Sequence, residues 1–355
     1  MRTEFKKWLF VVLAFMLFFY LYSLFSYFGI KDFIQEDSIQ QYFESHAWHL
    51  EILIAGILFG TLFIAINLLT EIKVLRKKSF GFIILFKTTL YIISLSVIMI
   101  VIFHLFSMLD LIGDEVKENI NAYLSVKLLS SFFIYSLLFV LIISFIMSVS
   151  RKFGPELMLD LLTGKYYHPR GDELVFLFLD LEDSTRIAEK LGHNIYSRFI
   201  KECIHELTPV ILKYKARVYQ YVGDEVILYW NVKTGISRLN CLNSFFAFAE
   251  ILRKQESYFK TKYGEIPKFK GGMDAGTVTL TEIGDVKREI AFHGDVLNTA
   301  SRLEKKCKEF SEYLIVSQHV LDHVSGNEKY NFKLLSDLPL RGKTESLNFY
   351  SVDPA

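Results

Sequence analysis

Asp180 closes the strand-like run VFLFLDLEDST, and Asp224 lies at the middle of a second one, VYQYVGDEVILYW. Acids at the tips of buried strands make a natural site for two magnesium ions, because hard divalent cations take oxygen ligands held on rigid elements. A third segment, HGDVLNTASRLE, carries Asn298 and Arg302. Spaced four apart, these two lie on one face of a helix and can reach the ribose and phosphates of a nucleotide. The three segments together point to nucleotide chemistry.

The elements that must hold these residues follow from the pattern around them. VFLFLDL is continuously apolar, as expected of a central strand covered on both faces. ARVYQYV and EVILYW, joined tightly at Gly223-Asp224, read as a hairpin. Helices are expected over 185–214 and 236–263, followed by a strand and turn in KFKGGMDAGTVTLTEIG. A strand near 287–292 leads into the helix of Asn298 and Arg302, and short strands are expected around 313–316, 330–335 and 347–352. Residues 173–355 are thus expected to form an α+β domain, a mostly antiparallel sheet flanked by helices.

Upstream the composition changes. Hydrophobic residues make up 52% of the 355-residue chain, with 33 Phe, and the long apolar runs crowd into residues 1–150. Four of them, 8–30, 50–70, 82–109 and 128–149, are each long enough to cross a bilayer, so an all-α, four-span membrane domain is expected. Basic residues flank alternate connections: Arg2, Lys6 and Lys7; then Lys73, Arg76, Lys77 and Lys78; then Arg151 and Lys152. The other two connections carry mainly acids. By the positive-inside rule both termini, and the catalytic half, face the cytoplasm from the inner (cell) membrane. Within the third run Lys87 is expected to snorkel towards the basic connection and His104 to pack as a hydrogen-bonding residue, with a sensing or proton role as its alternative. A net charge of +1 implies no polyanion, hence no nucleic-acid partner. Cys203, Cys241 and Cys307 show no CxxC spacing, which argues against a zinc site or a disulfide framework.

Residues 151–172 connect the halves. Pro155 suits a first helical turn, and Leu157, Met158, Leu161 and Leu162 form one apolar stripe before His168-Pro169 breaks the helix. The stripe serves either a plain tether or a short transmitter helix pairing across a dimer.

From about Lys165 onward the chain resembles the catalytic domain of class III adenylate and guanylate cyclases. FLFLDLEDST resembles the family's first metal segment, YQYVGDEV its metal hairpin and GDVLNTASRLE its ribose-and-phosphate helix, in the family's order. The resemblance implies a ferredoxin-like palm that converts a nucleoside triphosphate to its 3′,5′-cyclic monophosphate and pyrophosphate. It implies two divalent cations per site, Mg²⁺ or Mn²⁺, on Asp180, Asp224 and the Leu181 carbonyl. Asn298 would orient the ribose, and Arg302 would neutralise charge on the α-phosphate. Asp183, Ser184 and Thr185 open a helix whose amides would cradle phosphates. Arg341 and Lys343 match the place of a basic residue on the terminal phosphates. The implied assembly is a head-to-tail homodimer, with the acids from one subunit and Asn298 and Arg302 from the other.

The chain departs from the family where the base is selected. Gln220 stands where adenylate cyclases commonly carry Lys, and Ala291 where they carry Asp or Thr. Gln offers both a donor and an acceptor to a purine edge; Ala offers neither, and His293 is two residues away. ATP is the first expectation, as the abundant substrate and the commonest family activity, with GTP or a pyrimidine triphosphate open. Two other functions stay open as well: a diguanylate cyclase, because VGDEV echoes GGDEF, and a degenerate domain that binds nucleotide as a receptor or dimerisation module.

Overall fold

The structure is a computed structural model that describes residues 2–30, 47–69, 80–108, 126–153, 160, 163–286, 288–324, 326, 328–339 and 346–355. The chain divides into two compact units, Met1–Leu159 and Asp160–Ala355.

The first unit is helical: α1 (Arg2–Ile30), α2 (Ala47–Leu69), α3 (Phe80–Met108) and α4 (Val126–Phe153). Phe15, Phe63, Tyr91, Leu95 and Val140 pack in its interior. Its outward faces are apolar too, with Leu17, Leu85 and Ile134 each more than half exposed. A helix hydrophobic all round belongs in a non-aqueous surrounding rather than on a protein surface in water. Two of the four runs expected to span, within α1 and α2, hold windows long and apolar enough to do so, Trp8–Phe25 and Ile52–Leu69. Among the described residues, α3 and α4 hold shorter apolar stretches, Gly81–Val97 and Phe132–Met147.

Lys87 does not end in solvent. It is 7% exposed and donates to Asn67 Oδ1 at 2.7 Å, while Asn67 Nδ2 donates to the Phe63 carbonyl at 2.9 Å. These bonds reduce the cost of holding an ammonium among apolar helices. The side chain of His104, and connector residues Pro155, Leu157, Met158, Leu161 and Leu162, lie outside the described residues.

In the second unit β1 (Arg170–Leu181) is the central strand. After it come α5 (Ser184–Leu191), α6 (His193–Lys213), β2 (Arg217–Val222) and β3 (Glu225–Asn231). Then follow α7 (Val232–Ile236), α8 (Asn240–Lys254), α9 (Glu256–Tyr263), β4 (Phe269–Ile283), β5 (Glu289–His293) and α10 (Asp295–Phe310). The chain ends with β6 (Leu314–Ser317), α11 (Gln318–Val324), β7 (Tyr330–Pro339) and β8 (Ser346–Pro354). One mixed sheet runs in the order β2-β3-β1-β4-β6-β8-β7, with β5 paired to β4. Its pairings are antiparallel except β4 with β6.

β1 is buried on both faces, as its unbroken apolar run requires. Val175, Leu177, Leu179 and Leu181 join a core with Phe199, Cys203 and Leu207 of α6 and Phe245 of α8. Leu174, Phe176 and Phe178 join the opposite core with Val296 and Ala300 of α10. All three cysteines are buried free thiols.

Two expected helices are broken. The stretch 185–214 divides at Gly192, whose φ of +73° and ψ of 157° suit glycine alone. The stretch 236–263 divides at Gln255 (φ −99°, ψ 11°), and Arg238 and Leu239 turn left-handed before α8. Apolar periodicity runs through both breaks, because each pair of short helices covers the same sheet face.

Candidate active site

The hairpin and the central strand bring the two acids to one edge of the sheet. Leu179 pairs with Val226 and Val222 with Glu225, so Asp180 and Asp224 leave adjacent strand ends. Gly223 makes the turn possible with φ +64°. Both acids are half-buried. Asp224 Oδ2 is buried and has no hydrogen-bond partner among the described residues. The Asp180 carboxyl is pushed up to about 6, first by burial and then by the negative charges of Glu304 and Asp224. Glu225 is raised for the same reason, burial first and then Asp180. An orphaned carboxylate oxygen beside a second, mutually repelling acid fits a hard divalent cation. Among the described residues no three His, Cys, Asp or Glu side chains converge on a metal site by themselves. Two carboxylates that leave room for backbone and substrate phosphate oxygens are the usual magnesium arrangement.

Asn298 is exposed and Arg302 half-buried on α10, while Val296, Thr299, Ala300, Leu303, Glu304 and Cys307 of the same helix are buried. The pair therefore faces away from its own sheet. Gly272 of β4 fixes how close that helix comes: a Cβ there would stand 2.2 Å from both the Ala300 carbonyl and the Glu304 nitrogen. Among the described residues no ion pair joins Arg302 to Asp180 or Asp224.

The remaining candidates are placed as follows. Asp183 precedes α5 with a left-handed φ of +54° and lies 3.7 Å from Arg186 Nε; Ser184 is half-buried and Thr185 exposed at the start of that helix. Gln220 is exposed on the outer strand β2, just after a bulge, opposite Ile227. Ala291 is half-buried in β5 opposite Thr281, and His293 is exposed opposite Thr279. The Leu181 side chain is buried in the core. Arg341 and Lys343 lie outside the described residues.

Sequence reasoning missed three neighbours. Lys270 is the cross-strand partner of Asp180, and its Nζ lies 3.6 Å from Asp180 Oδ2. The same Nζ lies 3.1 Å from Glu304 Oε1, and Glu304 is 4% exposed. Tyr196 of α6 is hydrogen-bonded to Ser184; burial and the Asp224 charge push its hydroxyl up to about 12. The one signal available was Glu304 itself, a charge on the otherwise apolar stripe of α10.

Known proteins match this unit. The adenylate and guanylate cyclase catalytic domain family matches residues 166–353. Adenylate cyclase 2 of Rhizobium meliloti (strain 1021) is 28% identical over 210 residues, 59% of this chain and 58% of that protein. The terminal-differentiation-specific adenylate cyclase of Dictyostelium discoideum is 23% identical over 219 residues, 58% of this chain but 10% of its own length. The chain thus spans little more than half of one curated relative and a small part of the other. A solved bacterial light-regulated adenylyl cyclase superposes with a TM-score of 0.53 at 18% identity, covering 62% of this chain and 64% of that one; this likeness bears on the fold. With more than half of its length matched, the chain belongs to the adenylate and guanylate cyclase catalytic-domain family.

Proposed function

We propose that the chain is a membrane-anchored nucleotidyl cyclase that converts ATP to 3′,5′-cyclic AMP and pyrophosphate at a head-to-tail homodimer interface. The orphaned, buried Asp224 Oδ2 beside Asp180 carries this reading, because it calls for a cation where a triphosphate would lie.

Asp180, Asp224 and the Leu181 carbonyl would hold two divalent cations, Mg²⁺ or Mn²⁺. When bound, such ions polarise phosphate oxygens and lower the pKa of a ribose 3′-hydroxyl. The chain's own groups do the rest. Asn298 of the partner subunit would orient the ribose so that the 3′-oxygen stands in line with the α-phosphorus. The partner's Arg302 would donate to the α-phosphate oxygens as charge builds in the transition state, which a guanidinium does with directed bonds. The first amides of α5, from Ser184 and Thr185, would cradle the leaving phosphates, with Arg341 and Lys343 on the terminal ones. Gln220 and Ala291 would border the base. A dimer is needed because Asn298 and Arg302 face away from the sheet that carries their own chain's acids.

The membrane assignment rests on the apolar outer faces of α1 to α4 and on the alternation of basic and acidic connections along residues 1–152. On this topology four helices cross the inner membrane and the catalytic unit is cytoplasmic.

The test is a product assay on full-length protein in nanodiscs with ATP, GTP, CTP or UTP, in Mg²⁺ and in Mn²⁺. Cyclic AMP as the dominant product supports the proposal. Another cyclic mononucleotide would keep the enzyme class and reassign what Gln220 and Ala291 select. A cyclic dinucleotide would point to a diguanylate cyclase, and nucleotide binding without turnover under either metal to a receptor domain.

A further inference from the structure

Lys270 and Glu304 sit beside the candidate metal acids and take no part in the chemistry above. Lys270 stands directly across the β1–β4 ladder from Asp180, so both side chains leave the same face of the sheet. Its ammonium lies 3.6 Å from Asp180 Oδ2 and 3.1 Å from Glu304 Oε1, and the side chain is only 15% exposed. The Glu304 contact is within ion-pairing distance, yet Oε1 accepts no well-directed hydrogen bond. The ammonium therefore reaches both acids and stands nearer Glu304 than Asp180. Asp180 and Glu304 flank the ammonium, and Asp180 also feels the negative charges of Glu304 and Asp224.

We propose that Lys270 is a tethered counter-cation for the metal site: its ammonium is shared between Asp180 and the nearer Glu304, and Glu304 is the seat that keeps it when a divalent ion takes Asp180. The inference rests on the assignment of Asp180 as a metal ligand. A divalent ion on Asp180 meets a like charge at close range, so its binding works against Lys270. Glu304 lowers that opposition by drawing the ammonium away. Because Glu304 lies on α10, two residues after Arg302, the same transfer ties metal occupancy to the helix that presents Asn298 and Arg302 to the other subunit. Lys270 is thus a positioning residue, acting through Asp180.

The experiment is a Mn²⁺ titration of the full-length protein without nucleotide, read by electron paramagnetic resonance. Lys270→Met is expected to bind Mn²⁺ about tenfold more tightly than wild type, the usual effect of removing one like charge at this range. Lys270→Arg, which keeps the charge, is expected to bind as wild type does. Glu304→Gln is expected to weaken binding several-fold, and to have a smaller effect in a Lys270→Met background, where only its direct charge on Asp180 remains. Unchanged or weaker binding in Lys270→Met would overturn the proposal, as would a Glu304→Gln effect of full size in the double variant. If Lys270→Met does not fold, Glu304→Gln alone decides, and tighter or unchanged binding there overturns it. Wild-type binding lost in Asp180→Asn but indifferent to Lys270 would sink this inference and leave the metal site standing. Absence of any Mn²⁺ binding by wild type would remove both.

Discussion

Gly272 lies directly beneath Glu304: a methyl group on Gly272 would stand 2.2 Å from the Glu304 backbone nitrogen. The sheet and α10 meet there backbone to backbone, with no side chain between them. That contact sets the height of Asn298 and Arg302 above the sheet. Gly272→Ala is expected to destabilise the catalytic unit by about 1–3 kcal/mol through overpacking and to lower turnover more than Mn²⁺ binding. Thermal melts beside product assays check this; a variant with unchanged melting and turnover would show that α10 is free to move.

Arg302→Ala is expected to lower kcat by about 10²–10³-fold while Mn²⁺ binding persists, since the guanidinium acts on charge that develops only in the transition state. Asp180→Asn is expected to remove Mn²⁺ binding without unfolding the unit. Co-expression of the two inactive variants should restore product formation, because a head-to-tail heterodimer contains one intact site. Restoration is read from cyclic nucleotide output; none at all would argue that each chain completes its own site.

Proton and metal compete for Asp180. Its carboxyl is raised to about 6 in the folded state, by burial and then by Glu304 and Asp224. A folded value above the unfolded one means that this group favours the fold at low pH and loses that contribution as pH rises through about 6. Mn²⁺ must displace the proton, so affinity is expected to weaken below about pH 6, approaching tenfold per pH unit well under it. Mn²⁺ titrations at about pH 5 and about pH 7 distinguish this from a site ionised throughout.

Asp274 is 2% exposed on β4 and accepts hydrogen bonds from Ser317 Oγ and from His319 Nδ1, the latter at 3.0 Å. It ties β4 to the β6–α11 corner. Asp274→Ala leaves a buried hydroxyl without its acceptor and is expected to cost about 1–3 kcal/mol. The denaturation midpoint of the full-length protein reads the effect, with Asp274→Asn expected to recover part of it.

Much of this was legible along the chain. The apolar run of β1 and the Gly223-Asp224 turn announced a buried strand beside a hairpin, and with them the place of both acids. The four-residue spacing of Asn298 and Arg302 put them on one helical face. These are local properties: strand alternation, turn geometry and helical pitch depend on residues within a few positions of one another. Helix breaks at Gly192 and Gln255 were harder to see, because apolar periodicity does not stop where the backbone does.

The surroundings of the acids were not legible. Lys270 is ninety residues from Asp180 in sequence and becomes its neighbour only through the register of β1 on β4. Glu304 reaches the same point only because α10 rests on Gly272. Lys87, read along the chain as a snorkelling lysine, ends on Asn67 of the preceding helix. In each case a charge is placed by packing between distant segments, where the cost of burying it is set by partners that local sequence does not name. Residue type and spacing determine which groups can do the chemistry. Long-range packing decides which charges stand beside them, because Coulomb energies depend on distance in space and on burial, not on separation along the chain.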